Sequence, residues 1–204
     1  MTDKKRKIGI MGGNFNPPHL AHLMAAECAA RELELEKVIF LPTGKISYKD
    51  SRENATAEDR LEMTRLAISQ NPMFDISDIE SVSDEYSYTC FTLEKLKELY
   101  KDAELYFIVG ADSLDYMDRW KHPQRIFELS SVAVVDRQGF GIGRCLKKAE
   151  ELKSEFGADI HFVEMPRVDI SSSVIRERIA SGQPVEDMLT DAVFDYIREN
   201  NLYL

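Results

Sequence analysis

Gly12-Gly13-Asn14-Phe15-Asn16-Pro17-Pro18-His19-Leu20-Ala21-His22 is the stretch that decides the fold of this chain. Upstream of it, Lys7-Ile8-Gly9-Ile10-Met11 is short and apolar and reads as a buried parallel strand. Downstream, Leu20 to Leu35 is rich in Ala, Leu and Glu with few breakers, and reads as a helix. The stretch is therefore a strand-to-helix turn. Its glycines let backbone N–H groups come close to a ligand. Pro17 and Pro18 fix φ just ahead of the helix, where a missing N–H costs little. His19 and His22 share one face of the first turn. That turn carries the positive end of the helix dipole and N–H groups with no intrahelical partner, which suits a phosphate. An H-x-x-H pair alone would serve equally as a helix cap or a metal-binding pair. The glycines, the prolines and the preceding strand favour the anion. The dinucleotide fingerprint is excluded, because there is no G-x-G-x-x-G and no acid ends the second strand, Val38 to Pro42. A P-loop is excluded because no G-K-[ST] follows.

A length of 204 residues suits one α/β domain over 1–204, with a helical C-terminal part from about 170 to 204. The net charge of −10 argues against a general nucleic-acid surface, so a phosphate must meet a local cluster of cations. Cys28, Cys90 and Cys145 are scattered with no C-x-x-C, which suggests neither a disulfide framework nor a zinc ribbon and fits a reducing cytoplasm. No apolar run approaches the about 20 residues of a membrane span. Lys4-Lys5-Arg6-Lys7 has no apolar region after it and reads as a solvated tail.

Strands and helices then alternate. Strands are predicted at Val38–Leu41, Phe74–Ile79, Leu105–Val109, Val132–Val135 and Ile160–Val163. Helices are predicted at Ala57–Gln70, Tyr88–Tyr100, Leu146–Phe156, Ser171–Ala180 and Thr190–Asn200. Leu61, Thr64, Leu66 and Ile68 are expected to face the core from the first of these, and Leu93, Leu96 and Leu99 from the second. A cationic loop from Thr43 to Thr56 holds Lys45, Lys49 and Arg52, and Gly139 to Gly143 is a second loop. The alternation implies a Rossmann-like parallel sheet with helices on both faces. Ligands of such sheets bind outside the carboxyl ends of the strands. The unusual residues gather there, at Gly12–His22, Thr43–Arg52, Gly110–Asp112 and Ile170–Arg176.

Ser171-Ser172-Ser173-Val174-Ile175-Arg176 is the second informative site. With Ser173 as the N-cap, Arg176 stands where a capping box would place Glu or Gln. A cation there opposes the helix dipole unless it faces an anion. The alternative is an ordinary exposed arginine, which is how Arg178 reads. At Gly110-Ala111-Asp112 the glycine allows close backbone approach. Asp112 either accepts from ribose hydroxyls or caps a short helix. Tyr116 and Trp120, four apart on one helical face, either stack on an aromatic ligand or pack in the core. Their place after a strand end favours stacking.

The histidine stretch resembles the H-x-G-H signature of the nucleotidylyltransferase superfamily in its G-G-x-F-x-P-x-H-x-G-H form, with Ala21 in place of the intervening Gly. Ile170 to Arg176 resembles the I-S-S-[ST]-x-x-R motif paired with it. Gly110 to Leu114, Trp120, Pro123 with Ile126-Phe127, Ala57 to Met63, Ser87-Tyr88-Thr89 and the run from Ile170 to Tyr203 are similar to the bacterial nicotinate-nucleotide adenylyltransferase family. The likeness covers essentially the whole chain. Two further departures stand out: Tyr48 replaces a family His before Lys49, and Phe91 replaces an Asp after Thr89.

The resemblance implies adenylyl transfer from ATP to nicotinate mononucleotide, in the cytoplasm. By it, His19, His22, Arg176 and Lys49 carry the reaction. Gly12, Gly13, Phe15, Gly110, Asp112, Ile170 and Ser171 to Ser173 (Ser171, Ser172, Ser173) complete an ATP site. Asn14, Thr89, Tyr116 and Trp120 take the mononucleotide. Mg²⁺ is expected on the ATP phosphates, with no protein metal site, no nucleic acid and no membrane partner. The alternatives are a related transferase using phosphopantetheine or glycerol phosphate as acceptor, and a non-catalytic nucleotide sensor on the same fold.

Overall fold

A computed structural model of the chain describes residues 5–44, 55–82, 86–136 and 142–204. In chain order the elements are β1 (Arg6–Gly13), α1 (Leu20–Leu33), β2 (Lys37–Pro42), α2 (Ala57–Ile68), β3 (Phe74–Ile76), α3 (Thr89–Leu99), β4 (Ala103–Gly110) and α4 (Ala111–Leu114). After a 3-10 turn at Met117–Arg119 come α5 (Pro123–Leu129), β5 (Ser131–Val135), α6 (Ile142–Phe156), β6 (Ile160–Val163), α7 (Ser172–Ala180) and α8 (Asp191–Glu199). The strands form a six-stranded sheet in the order β3-β2-β1-β4-β5-β6. β1 with β4, β4 with β5 and β5 with β6 pair in parallel, with Ile10 opposite Phe107 and Val109 opposite Val134. The strand order reverses between β1 and β4, as in the Rossmann-like sheet expected from the alternation. Ile8, Ile10, Leu105, Ile108 and Val132 to Val135 are all buried, which is why these strands read as continuous apolar runs.

The chain divides into two compact units. One comprises Met1–Met11, Ala25–Ile39 and Tyr88–Val168; the other comprises Gly12–Met24, Phe40–Ser87 and Asp169–Leu204. The second unit thus joins the histidine turn to the C-terminal part, which lies more than a hundred residues away in sequence.

Four expectations are corrected. β3 stops at Ile76 rather than Ile79, because the chain turns there. The Ser77 N–H donates to the Phe40 carbonyl, and both the Val82 N–H and the Ser81 hydroxyl close onto the Asp78 carbonyl. On α3, Cys90, Leu93 and Leu96 are buried but Leu99 is 67% exposed. Each step of three residues falls about 60° short of a full turn, so Leu99, the fourth member of the series from Cys90, rotates off the core face. On α2 the buried face is Arg60, Met63, Thr64, Ala67 and Ile68, with Leu61 and Leu66 only half-buried. Of the loop expected at Gly139 to Gly143, Ile142 and Gly143 already belong to α6, and the rest lies outside the described residues.

Candidate functional site

The histidine turn is built in the second unit, from β1's last residues to the start of α1. Phe15 adopts φ +48°, in the left-handed region, and its ring is buried. A Cβ on Gly13 would lie 3.1 Å from the Phe15 ring, so this glycine makes room for a side chain of the turn itself. The Phe15 ring packs edge-on against His22 at 5.0 Å and, tilted, against Phe40 at 5.7 Å. The Asn16–Pro17 peptide is cis. His19 is buried and His22 half-buried, and their rings stack at 3.6 Å with 19° between planes. The His19 N–H donates to His22 Nδ1 at 3.2 Å. In a neutral imidazole one nitrogen accepts and the other carries the proton, so this bond places the His22 proton on Nε2.

The expected open row of first-turn N–H groups is largely used within the protein. The Leu20 N–H donates to the Met188 carbonyl at 3.0 Å, and the His22 N–H to the His19 carbonyl at 2.9 Å. An anion at this turn must therefore meet side chains more than backbone.

The serine–arginine segment reaches the same turn. Ser172 donates through its hydroxyl to the Pro17 carbonyl at 2.8 Å, and Arg176 Nη1 donates to the Asn16 carbonyl at 2.7 Å. The capping argument for Arg176 is overturned. Ser171 is the N-cap of α7, accepting from the Val174 N–H, and Val174 holds the position assigned to Arg176. Arg176 sits two residues further on, where its guanidinium finds the Asn16 carbonyl. The five N–H donors of a guanidinium leave capacity for an anion beside that carbonyl. Ser171 and Ser173 pair through their hydroxyls at 3.1 Å, Ile170 precedes them half-buried, and Arg178 donates to the Pro184 carbonyl.

Sequence reasoning missed two residues here. Arg60, buried on α2, donates to the Asn14 carbonyl at 2.8 Å and to the Gly44 carbonyl at 3.3 Å, tying the ends of β1 and β2. Tyr203 donates through its hydroxyl to Asn16 Oδ1. The sign available for Arg60 was its place on the apolar face of a helix. Thr56 and Asp59 form a capping box on α2, and Tyr196 of α8 donates to Asp59 at 3.0 Å. Burial works against the Asp59 carboxylate, but donation from the Thr56 hydroxyl and backbone and from Tyr196 outweighs it and holds its pKa low. Burial and the Asp59 bond push the Tyr196 phenol up to about 12.

In the first unit, β4 ends at Gly110, which is the N-cap of α4. A Cβ on Gly110 would lie 2.4 Å from Asp112 Oδ1, so the carboxylate folds over the glycine. Asp112 is thus in the first turn and exposed, and the capping alternative for it is ruled out. Tyr116 and Trp120 do not share a helix. Tyr116 precedes the 3-10 turn and Trp120 follows it. Tyr116 is 54% exposed, which excludes core packing, and Trp120 is half-buried, edge-on to Phe107 at 6.0 Å. Lys148 of α6 pairs with Asp118 at 3.0 Å and holds that carboxyl below its usual range. This anchors the turn between the two rings.

Thr89 opens α3, half-buried. Lys121 Nζ sits 4.4 Å over the Tyr88 ring and 5.6 Å over Phe91, and Phe91 also lies 5.9 Å from the His122 ring. Phe91 is 42% exposed. Lys49 and Tyr48 lie outside the described residues. Among the described residues there is no group of three or more His, Cys, Asp or Glu placed to hold a metal ion, and no helix long and apolar enough to cross a membrane.

A family model described as cytidylyltransferase-like matches residues 10–178. The probable nicotinate-nucleotide adenylyltransferase of Lachnoclostridium phytofermentans is 39% identical over 199 residues, covering 98% of this chain and all of the relative. The chain belongs to the cytidylyltransferase-like family, in its nicotinate-nucleotide adenylyltransferase branch. Another member, from Desulfitobacterium hafniense strain Y51, is 41% identical over 198 residues, covering 97% of this chain and 96% of the relative. The Plasmodium falciparum nicotinic acid mononucleotide adenylyltransferase complexed with NaAD superposes with a TM-score of 0.80 over 97% of each chain, at 22% identity. That likeness places the adenylyltransferase fold on the Rossmann-like sheet described above.

Proposed function

We propose that the chain transfers the adenylyl group of ATP to nicotinate mononucleotide, yielding nicotinate adenine dinucleotide and pyrophosphate. The observation that carries this reading is the second unit's clustering of an arginine, a serine and two histidines on one turn. Ser172 and Arg176 bond the carbonyls of Pro17 and Asn16, directly before His19 and His22. A phosphate oxygen of the mononucleotide attacks the α-phosphorus of ATP. The new P–O bond forms as the α-phosphorus–oxygen bond to the β-phosphate breaks, and pyrophosphate leaves with the electron pair. The attacking oxygen is already anionic near neutral pH, so no general base is needed. Catalysis is alignment plus neutralisation of charge spreading over the phosphate oxygens.

His19 and His22 are assigned to the α- and β-phosphates, and Arg176 with Ser171 to Ser173 to the β- and γ-phosphates. ATP enters as its Mg²⁺ complex, the ion being held by phosphate oxygens. Buried free cysteines at 28, 90 and 145 suit a reducing cytoplasm.

Thr89, Tyr116 and Trp120 are assigned to the pyridine ring. The exposure of Tyr116 supports that assignment. Lys121, seated on the Tyr88 and Phe91 rings next to Trp120, supplies the positive charge that a carboxylate favours. A carboxylate only accepts hydrogen bonds, whereas an amide must also place two donors. Buried polar groups left unpaired by the wrong substrate discriminate strongly. The test is kcat/KM at fixed MgATP for the nicotinate and nicotinamide mononucleotides, phosphopantetheine and glycerol phosphate, repeated with Trp120→Ala. The nicotinate compound is expected to lead, with its KM raised in the variant. Equal kcat/KM for the two mononucleotides would overturn the acceptor assignment, and no pyrophosphate release with any acceptor would favour a nucleotide sensor.

A further inference from the structure

The C-terminal segment reaches the histidine turn through more than its serines and arginine. Asn16 is 1% exposed and accepts twice: its carbonyl takes Arg176 Nη1 at 2.7 Å, and its side-chain Oδ1 takes the Tyr203 hydroxyl. Tyr203 is the penultimate residue and is 3% exposed. Its backbone has φ +66°, and Asn201 two residues earlier has φ +52°. A bulky residue in the left-handed region is strained, and such strain persists only where surrounding contacts impose it. Here the chain folds back on α8, with the Leu202 N–H donating to the Ile197 carbonyl, and this buries the ring that reaches Asn16.

We infer that Tyr203 is a positioning residue for ATP: its hydroxyl holds Asn16, and Asn16 through its carbonyl sets where the Arg176 guanidinium lies beside the histidines. The inference rests on the proposed adenylyl-transfer reading for its ligand. Removing the hydroxyl takes away one buried hydrogen bond of Asn16 and lets the Asn16 peptide shift, which moves the carbonyl that Arg176 Nη1 meets. The acceptor residues in the other unit are untouched.

The test uses the full chain and the methylene analogue of ATP, with binding followed by calorimetry. Tyr203→Phe is expected to weaken the analogue roughly tenfold while the acceptor KM stays within about twofold. In an Arg176→Ala background the same substitution is expected to change affinity by less than about twofold, because the two residues act in one chain of bonds. Equal losses in both backgrounds, or no loss in the parent, overturn the inference. Tyr203→Phe combined with Asn16→Leu removes both halves of this buried pair, and melting temperature is expected to recover relative to Tyr203→Phe. Weak analogue binding that persists in this double variant supports positioning. Binding that returns with the melting temperature means that Tyr203 only anchors the tail, and overturns the inference. The double variant also serves if Tyr203→Phe alone does not fold. A parent that binds the analogue but forms no dinucleotide fails the functional reading and leaves the Tyr203 comparison intact. A parent that does not bind it fails both.

Discussion

His22 accepts the His19 N–H through Nδ1, so two jobs meet in one ring under the proposed reaction: Nδ1 shapes the turn, and Nε2 carries the proton that would meet a phosphate oxygen. His22→Ala removes both and is expected to lower kcat by about 10²–10³, the usual loss for one donor that meets developing charge. His22→Asn separates the two jobs, because its side-chain oxygen can take the same backbone N–H while nothing replaces Nε2. It should therefore keep a parental circular-dichroism spectrum and still lose kcat. A His22→Asn enzyme with near-parental kcat would remove Nε2 from the chemistry. At this scale the sequence singled out the histidines and Arg176, which the structure brings to one turn, but Arg176 does not occupy a capping position. The capping position belongs to Val174, and the arginine's backbone partner, Asn16, lies 160 residues away in sequence.

α2 and α8 meet through the Asp59–Tyr196 bond, which also completes the N-terminus of α2. The Tyr196 pKa is raised from 10.0 to about 12, chiefly by burial and then by Asp59. A phenol with a raised folded pKa contributes stability in full below pH 10, where both folded and unfolded chains keep the proton. That contribution falls as pH rises from 10 through about 12, because the unfolded chain ionises first. Asp59 acts at the other end of the scale. Its lowered pKa contributes stability above the usual carboxylate value, and this is lost as pH falls through the folded one. The melting temperature of the parent should therefore exceed that of Tyr196→Phe by a constant margin between pH 7 and 9.5, and the margin should narrow above pH 10. A margin that stays flat to pH 11 would count against the bond. The elements themselves were mostly readable, because burial on parallel strands and helical spacing leave periodic marks. The turn between Tyr116 and Trp120 was misread as one helix. Within it Asp118 pairs with Lys148 of α6, a contact no local pattern announces.

At the scale of the whole molecule, a ligand that binds only the folded chain stabilises it by mass action. A non-hydrolysable ATP analogue at about 100 times its Kd adds about 2.7 kcal/mol, or roughly 5–10 °C for a chain of this size. Arg176→Ala at the same analogue concentration should show less than about half of that shift, and Arg176→Lys should recover little, because a point charge lacks the planar fork that meets two oxygens. Equal shifts in parent and variant, read by scanning fluorimetry, would take Arg176 off the triphosphate. The sequence by itself determined the alternation of strands and helices apart from α4 and α5, the strand-to-helix turn at Gly12–His22 and a second candidate segment around Arg176. Those depend on local spacing and on residue types that stand next to each other in the chain. Only the tertiary structure decided that Arg60, Arg176, Ser172, Met188 and Tyr203 hold that turn. Their partners are backbone carbonyls, one backbone N–H and one amide oxygen. Every residue offers such backbone groups, so which ones are used is settled when distant segments pack and their buried polar atoms must be paired.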